Sequence, residues 1–164
     1  MAVQVGEASL RHAQYYASLL EQGNQMFLNG GEQLLDGLAL FNQNEANIRS
    51  AQAWVSVQQQ ERGLELRARF ANAGAHVVEL RLSAREKQTW FENALQAAQA
   101  LGLPDYELAY RSALGSCLGD LGESLAALEH LHQALAAARE MKNRSFEGTL
   151  LGQVGAAYLR MGQY

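Results

Sequence analysis

One cysteine and one proline stand among 164 residues, and each scarcity removes a class of structure. A single thiol, Cys117, excludes an internal disulfide framework, and nothing near it has the spacing of a zinc site. It reads as a small buried core residue, in keeping with a reducing, cytoplasmic setting. The single proline, Pro104, leaves almost the whole chain free to run in helices. No apolar run approaches the roughly 20 residues of a membrane span, and residues 1–10 lack the basic and apolar regions of a signal peptide, so no membrane partner is expected. A net charge of −4 with scattered lysines and arginines gives no footprint for a phosphate backbone, so nucleic acid is not an expected partner either. No G-x-x-x-x-G-K-[ST] phosphate loop occurs, and no cofactor or metal is expected.

The sequence is rich in apolar residues, 48% of the total, and they recur at three- and four-residue spacing. That periodicity predicts an all-α chain without strands. The first helix is expected over residues 9–22, followed by a loop ending at Gly30-Gly31. Leu34, Leu35, Leu38 and Phe41 form a second segment, and Asn42 with Glu45 has capping-box spacing for a third helix burying Ile48, Ala51 and either Trp54 or Val55. After a turn at 58–63, Leu64, Ala68, Ala71, Ala75 and Val78 make one helical seam. Ser83 and Glu86 repeat the capping-box spacing, and Gly102, Leu103 and Pro104 end the helix they open. Asp105 is expected to cap the next helix and Ser145 the last, with a seam of Leu125, Leu128, Leu131 and Leu135 between them.

An offset of 40 residues aligns Asp105-Tyr106-Glu107 with Ser145-Phe146-Glu147, Leu114-Gly115 with Val154-Gly155, and Leu121-Gly122 with Met161-Gly162. The same offset pairs Phe91 with Leu131, Ala94-Leu95 with Ala134-Leu135, and Leu101 with Met141. Agreement of caps, glycines and core positions marks a structural repeat. Gly115 and Gly155 are expected at close helix approaches, Gly122 and Gly162 at turns. The spacing of Leu114-Gly115, Leu118, Leu121-Gly122, Ala127, Leu131 and Ala134-Leu135 resembles the tetratricopeptide consensus in a variant of about 40 residues.

Arg11-His12-Ala13-Gln14-Tyr15-Tyr16, Leu38-Ala39-Leu40-Phe41 and Asn47 through Trp54 resemble the helical stretch that follows the nucleotide-binding part of STAND-type (NB-ARC-like) signalling ATPases. Trp90-Phe91-Glu92-Asn93-Ala94-Leu95 is similar to the first degenerate repeat of those proteins, from which Lys87 departs at a position that is usually small. The resemblance implies antiparallel helix pairs stacked as a right-handed solenoid: a helical segment over 1–62, then units at 63–103 and 104–143 and an incomplete one at 144–164. Because the register stops at Tyr164 inside a unit, a longer parent protein is expected, with self-association through an open C-terminal end as a further possibility.

The implied function is a protein–protein interaction module, the sensor or scaffold repeat arm of a larger signalling protein with a protein or peptide partner. The alternative is a regulatory domain that senses a peptide or small ligand. Catalysis is not expected: His130 and His132 point about 200° apart on one helix and read as surface residues, and the His76 and Glu79 pair has no nucleophile beside it. Carrying the family's concave-face positions over places partner contacts at Arg69, His76, Glu79, Ser112, Ser116, Asp120, Gln153 and Arg160.

Overall fold

The computed structural model describes residues 2–162, with side chains from residue 6 onward. It is all-helical: α1 (Ala2–Asn29), α2 (Glu32–Ser56), α3 (Glu61–Ala73), α4 (Ala75–Arg81), α5 (Ala84–Leu101), α6 (Pro104–Asp120), α7 (Ser124–Glu140) and α8 (Arg144–Arg160), with no strand among the described residues. By contacts the chain divides between Leu82 and Ser83 into two compact units. The segment read from sequence as opening the first repeat, α3 and α4, therefore packs with α1 and α2.

In the first unit, α1 continues past residue 22 to Asn29, and the expected loop shrinks to Gly30 and Gly31, both at positive φ. The expected break at Asn42 is absent as well. Gly37, Phe41, Ile48, Ala51 and Val55 form one continuous buried seam along α2, and burying it outweighs the local capping tendency of Asn42 and Glu45. The polar residues serve the helix from within: the Asn44 side-chain amide donates to the Leu40 carbonyl, and Glu45 pairs with Arg49 one turn on. Two glycines let α1 and α2 touch backbone to backbone, since a Cβ at Gly37 would lie 2.4 Å from the Gly23 carbonyl oxygen. The seam from Leu64 to Val78 is not one helix. It breaks at Gly74, where a Cβ would lie 2.9 Å from Leu20 Cδ2, so the chain bends at its closest approach to α1.

The second unit follows the 40-residue register. The capping box at Ser83 and Glu86 forms, with the Ser83 amide donating to Glu86 Oε2 at 2.9 Å. The helix ends at Gly102, whose amide bonds to Gln99 while that of Leu103 bonds to Ala98, both through carbonyl oxygens. The same pair of hydrogen bonds recurs at Gly122 with Glu123, and at Lys142 with Asn143. Left-handed residues thus fall at 102, 122, 142 and 162, twenty apart, and Lys142 is the one non-glycine residue at positive φ among those described. Side-chain contacts repeat too: Gln99 donates to Glu107 and Arg139 to Glu147, the same pair of positions 40 residues apart.

Two expected caps move. Pro104 takes the first helical position with Leu103 as cap, leaving Asp105 inside the first turn; Asn143, not Ser145, caps α8 by accepting from the Phe146 amide at 3.1 Å. Each of α6, α7 and α8 packs on the helix before it, and α6 also touches α8. Three-residue connections at 121–123 and 141–143 make successive helices antiparallel. Their shared core holds Leu108, Leu128, Leu131, Ala134, Leu135, Ala138, Leu150, Val154 and Ala157.

Cys117 is buried as expected, its thiol directed at the Ala84 carbonyl. Trp90 and Phe91 are also core residues, Phe91 stacked on Tyr110 with ring centres 6.3 Å apart. Leu125 leaves the expected seam and is 70% exposed. Val154 is buried against α7, whereas Tyr158 is exposed and Met161 half-buried. Gln163 and Tyr164, read as part of a further unit, lie outside the described residues.

Candidate functional site

The eight residues assigned to a concave face fall into two sets, one in each unit. In the first unit, Arg69 on α3 forms a two-pronged ion pair with Glu21 on α1, Nε to Oε1 at 2.6 Å and a second nitrogen to Oε2 at 2.5 Å. The His76 amide donates to Asn24 Oδ1 at 2.8 Å, and its ring stacks on Phe27 with centres 5.9 Å apart. Glu79 is exposed on α4. These contacts tie α3 and α4 to α1, so Arg69 and His76 act here as fasteners within the unit.

In the second unit the remaining five residues come together. Ser112, Ser116 and Asp120 are spaced by four on α6, and the turn of the helix stacks them on one face. Gln153 and Arg160 sit two turns apart on α8, on the face turned toward α6. Ser112 Oγ donates to Gln153 Oε1 at 2.9 Å, Gln153 Nε2 donates to Ser116 Oγ at 2.8 Å, and Arg160 reaches Asp120 Oδ1 at 3.4 Å. The result is a polar ladder from a buried rung at Ser112 to exposed rungs at Ser116 and Asp120. Gly119 makes room for it, because a Cβ there would lie 2.6 Å from an Arg160 guanidinium nitrogen.

The ladder is a weak fastening between α6 and α8. Neutral hydrogen bonds net about 0.5–1.5 kcal/mol each, and an exposed ion pair about 0.2–1 kcal/mol.

Other titratable groups are committed elsewhere. Glu107 is held below the usual carboxylate range, first by its hydrogen bond from Arg111, and Glu147 likewise by Arg139. His130, read from sequence as a surface residue, is half-buried with Nδ1 enclosed and without a hydrogen-bond partner. Burial, followed by the Arg111 charge, pushes its imidazole below the usual histidine range. His132 is exposed beside Tyr158. Among the described residues no group of three or more His, Cys, Asp or Glu side chains is placed to hold a metal ion, and no helix is long and apolar enough to cross a membrane.

One feature escaped the sequence reading: a shallow groove in the first unit lined by Leu10, Trp54, Val57, Gln58 and Arg62. Its signal was Trp54, which competed with Val55 for the core; Val55 is fully buried and Trp54 only half so, while Val57 is 68% exposed. No family model, no curated protein and no solved structure matches the chain.

Proposed function

We propose that this chain is a protein-interaction module of the tetratricopeptide type, its antiparallel helix pairs continuing as a right-handed solenoid, and that it belongs to the sensor or scaffold arm of a signalling protein. It binds and does not turn over substrate. The α6–α8 ladder carries the reading: it sets five hydrogen-bonding side chains of graded exposure along one face, between two helices at equivalent positions of consecutive repeats. An extended peptide lying across that face meets alternating hydroxyl, amide and charged groups that fix its register.

The test is selection from a displayed peptide library, followed by amide chemical-shift mapping on the full chain. Peptides that shift Ser116, Asp120, Gln153 and Arg160, and bind at least tenfold more weakly to Ser116→Tyr at unchanged melting temperature, support the reading. Binders that map away from the ladder, or that ignore Ser116→Tyr, refute it.

A further inference from the structure

Asn29 is the one asparagine of the sequence that glycine follows. In such a pair the main-chain nitrogen of the glycine can attack the side-chain carbon Cγ of the asparagine, because no side chain on the second residue screens that nitrogen. Asn24, Asn42, Asn44, Asn47, Asn72 and Asn93 lie inside helices and precede residues with a Cβ, so the nitrogen that would attack is both shielded and part of a helix. Asn29 is placed differently. It is exposed at the end of α1, and Gly30 and Gly31, at φ 72° and 60°, are the whole connection to α2. The Gly30 amide donates to the Phe27 carbonyl at 3.1 Å, a bond at the helix terminus, where fraying begins. A Cβ at Gly30 would meet nothing within 4 Å, so no neighbouring side chain covers it either.

The side chain of Asn29 is held at both ends. Gln25 Nε2 donates to Asn29 Oδ1 at 3.0 Å, and Asn29 Nδ2 donates to Gln33 Oε1 at 2.8 Å. The first bond sets a donor on the oxygen that gains negative charge when Cγ is attacked, which is the arrangement of an oxyanion hole with one donor. The second sets an acceptor beside the amino group that must leave.

We propose that Asn29 is a site of self-modification, losing its side-chain amide to attack by the Gly30 nitrogen. Hydroxide takes the Gly30 amide proton, and the nitrogen forms a bond to Cγ. The Cγ–Nδ2 bond then breaks, and Nδ2 takes a proton from water and leaves as ammonia, which returns the hydroxide. The product is a five-membered imide joining the two residues, and water opens it. Opening at Cγ leaves an aspartate in an ordinary main chain; opening at the main-chain carbonyl carbon leaves Gly30 attached through Cγ, an iso-aspartyl link one methylene longer. Either way a carboxylate replaces the amide that donated to Gln33, and negative charge is set at the C-terminal end of α1. The longer link falls in a two-residue connection between helices that touch backbone to backbone at Gly23 and Gly37, so the turn loses its fit.

The experiment is incubation of the full chain in mildly alkaline buffer at body temperature, followed by digestion and mass spectrometry. A free peptide of residues 26–32, which lacks both glutamine partners, is the reference. The mass gain of amide-to-acid conversion is expected on the fragment holding Asn29 and not on the others. Its rate should be no less than about a tenth of the peptide's, since opening one hydrogen bond costs up to about 1.4 kcal/mol. Gly30→Lys should slow conversion at least tenfold; Lys142 at φ 56° shows that a turn of this chain holds lysine in that conformation, and an unchanged melting temperature verifies it. Gln25→Leu should slow conversion at least twofold. An Asn29 that keeps its amide long after the peptide has converted, a mass gain spread over the other asparagines, or an unchanged rate in Gly30→Lys overturns the proposal. Equal rates in Gln25→Leu and the unaltered chain overturn the part given to Gln25. The peptide comparison needs no variant, so it decides the matter even if a substitution unfolds the chain.

Discussion

Gly115 and Gly155 occupy the same repeat position, and the structure gives alanine opposite effects at the two. In a helix interior, alanine is favoured over glycine by about 1 kcal/mol. At Gly155 that gain stands alone, because nothing lies within 4 Å of the new Cβ, and Gly155→Ala is expected to stabilise by up to ~1 kcal/mol. At Gly115 the Cβ would lie 2.4 Å from Leu131 Cγ and 2.5 Å from Cδ2. Carbon atoms prefer about 3.5–4.0 Å, so Leu131, which is 1% exposed and has no free space to turn into, must move by about 1 Å or more. Overpacking of that kind costs roughly 1–3 kcal/mol. After the propensity gain, Gly115→Ala is expected to destabilise by up to about 2 kcal/mol. Urea unfolding reads both values, with unchanged m-values showing that the denatured state is not the cause. Leu131→Ala alone should cost about 2–5 kcal/mol, and distinctly less in the Gly115→Ala background, where the clash has been removed. Equal signs for the two glycine substitutions, or additive behaviour of Gly115→Ala with Leu131→Ala, would refute the socket.

Lys142 holds a left-handed conformation, φ 56°, that glycine supplies at 102, 122 and 162. An L-residue there costs roughly 1–2 kcal/mol, and glycine returns about 0.5–1 kcal/mol of that through its freer unfolded chain. Lys142→Gly should therefore raise stability by about 0.5–1 kcal/mol, or a few degrees of melting temperature by calorimetry. Lys142→Ala, which removes the charge and keeps the Cβ, should change little, and a gain equal to that of glycine would assign the effect to charge instead. His130 supplies a pH dependence: with its folded pKa depressed by burial and by Arg111, its contribution is complete above the ordinary histidine pKa of about 6.5 and is lost as pH falls below it. Glu92 and Glu129 oppose this shift without cancelling it. Between roughly pH 7.5 and 5.5, above the range where Glu107 and Glu147 titrate, stability should fall on acidification, and His130→Leu should flatten that slope. An equal slope in the variant would remove His130 from the account.

The helices themselves were legible in the sequence wherever the signal lay within one turn. Ser83 with Glu86 and Gly102 with Leu103 need only neighbouring residues to form their bonds, and they form them as read. The 40-residue register was legible for the same reason, because every unit repeats its own local turn chemistry, down to the Gln99–Glu107 and Arg139–Glu147 pairs. The ladder was half legible. Helical spacing put Ser112, Ser116 and Asp120 on one face, but their bonding to Gln153 and Arg160 depends on α8 lying beside α6.

Tertiary packing decided what local chemistry left degenerate. Asn42 and Glu45 have the spacing of a cap, yet the seam from Gly37 to Val55 must stay continuous to cover α1, and burial over many residues outweighs one cap. Leu125 and Leu128 look alike in the leucine seam, and only the placement of α6 and α8 leaves one in water and the other in the core. Sequence alone thus determined the helical class and, from Ser83 onward, the 40-residue period, since hydrogen bonds and turn strain act within a few residues. Only the fold decided which faces are covered, since burial is a property of neighbours far along the chain: Gly115 and Gly155, indistinguishable by register, became a filled socket and an open one.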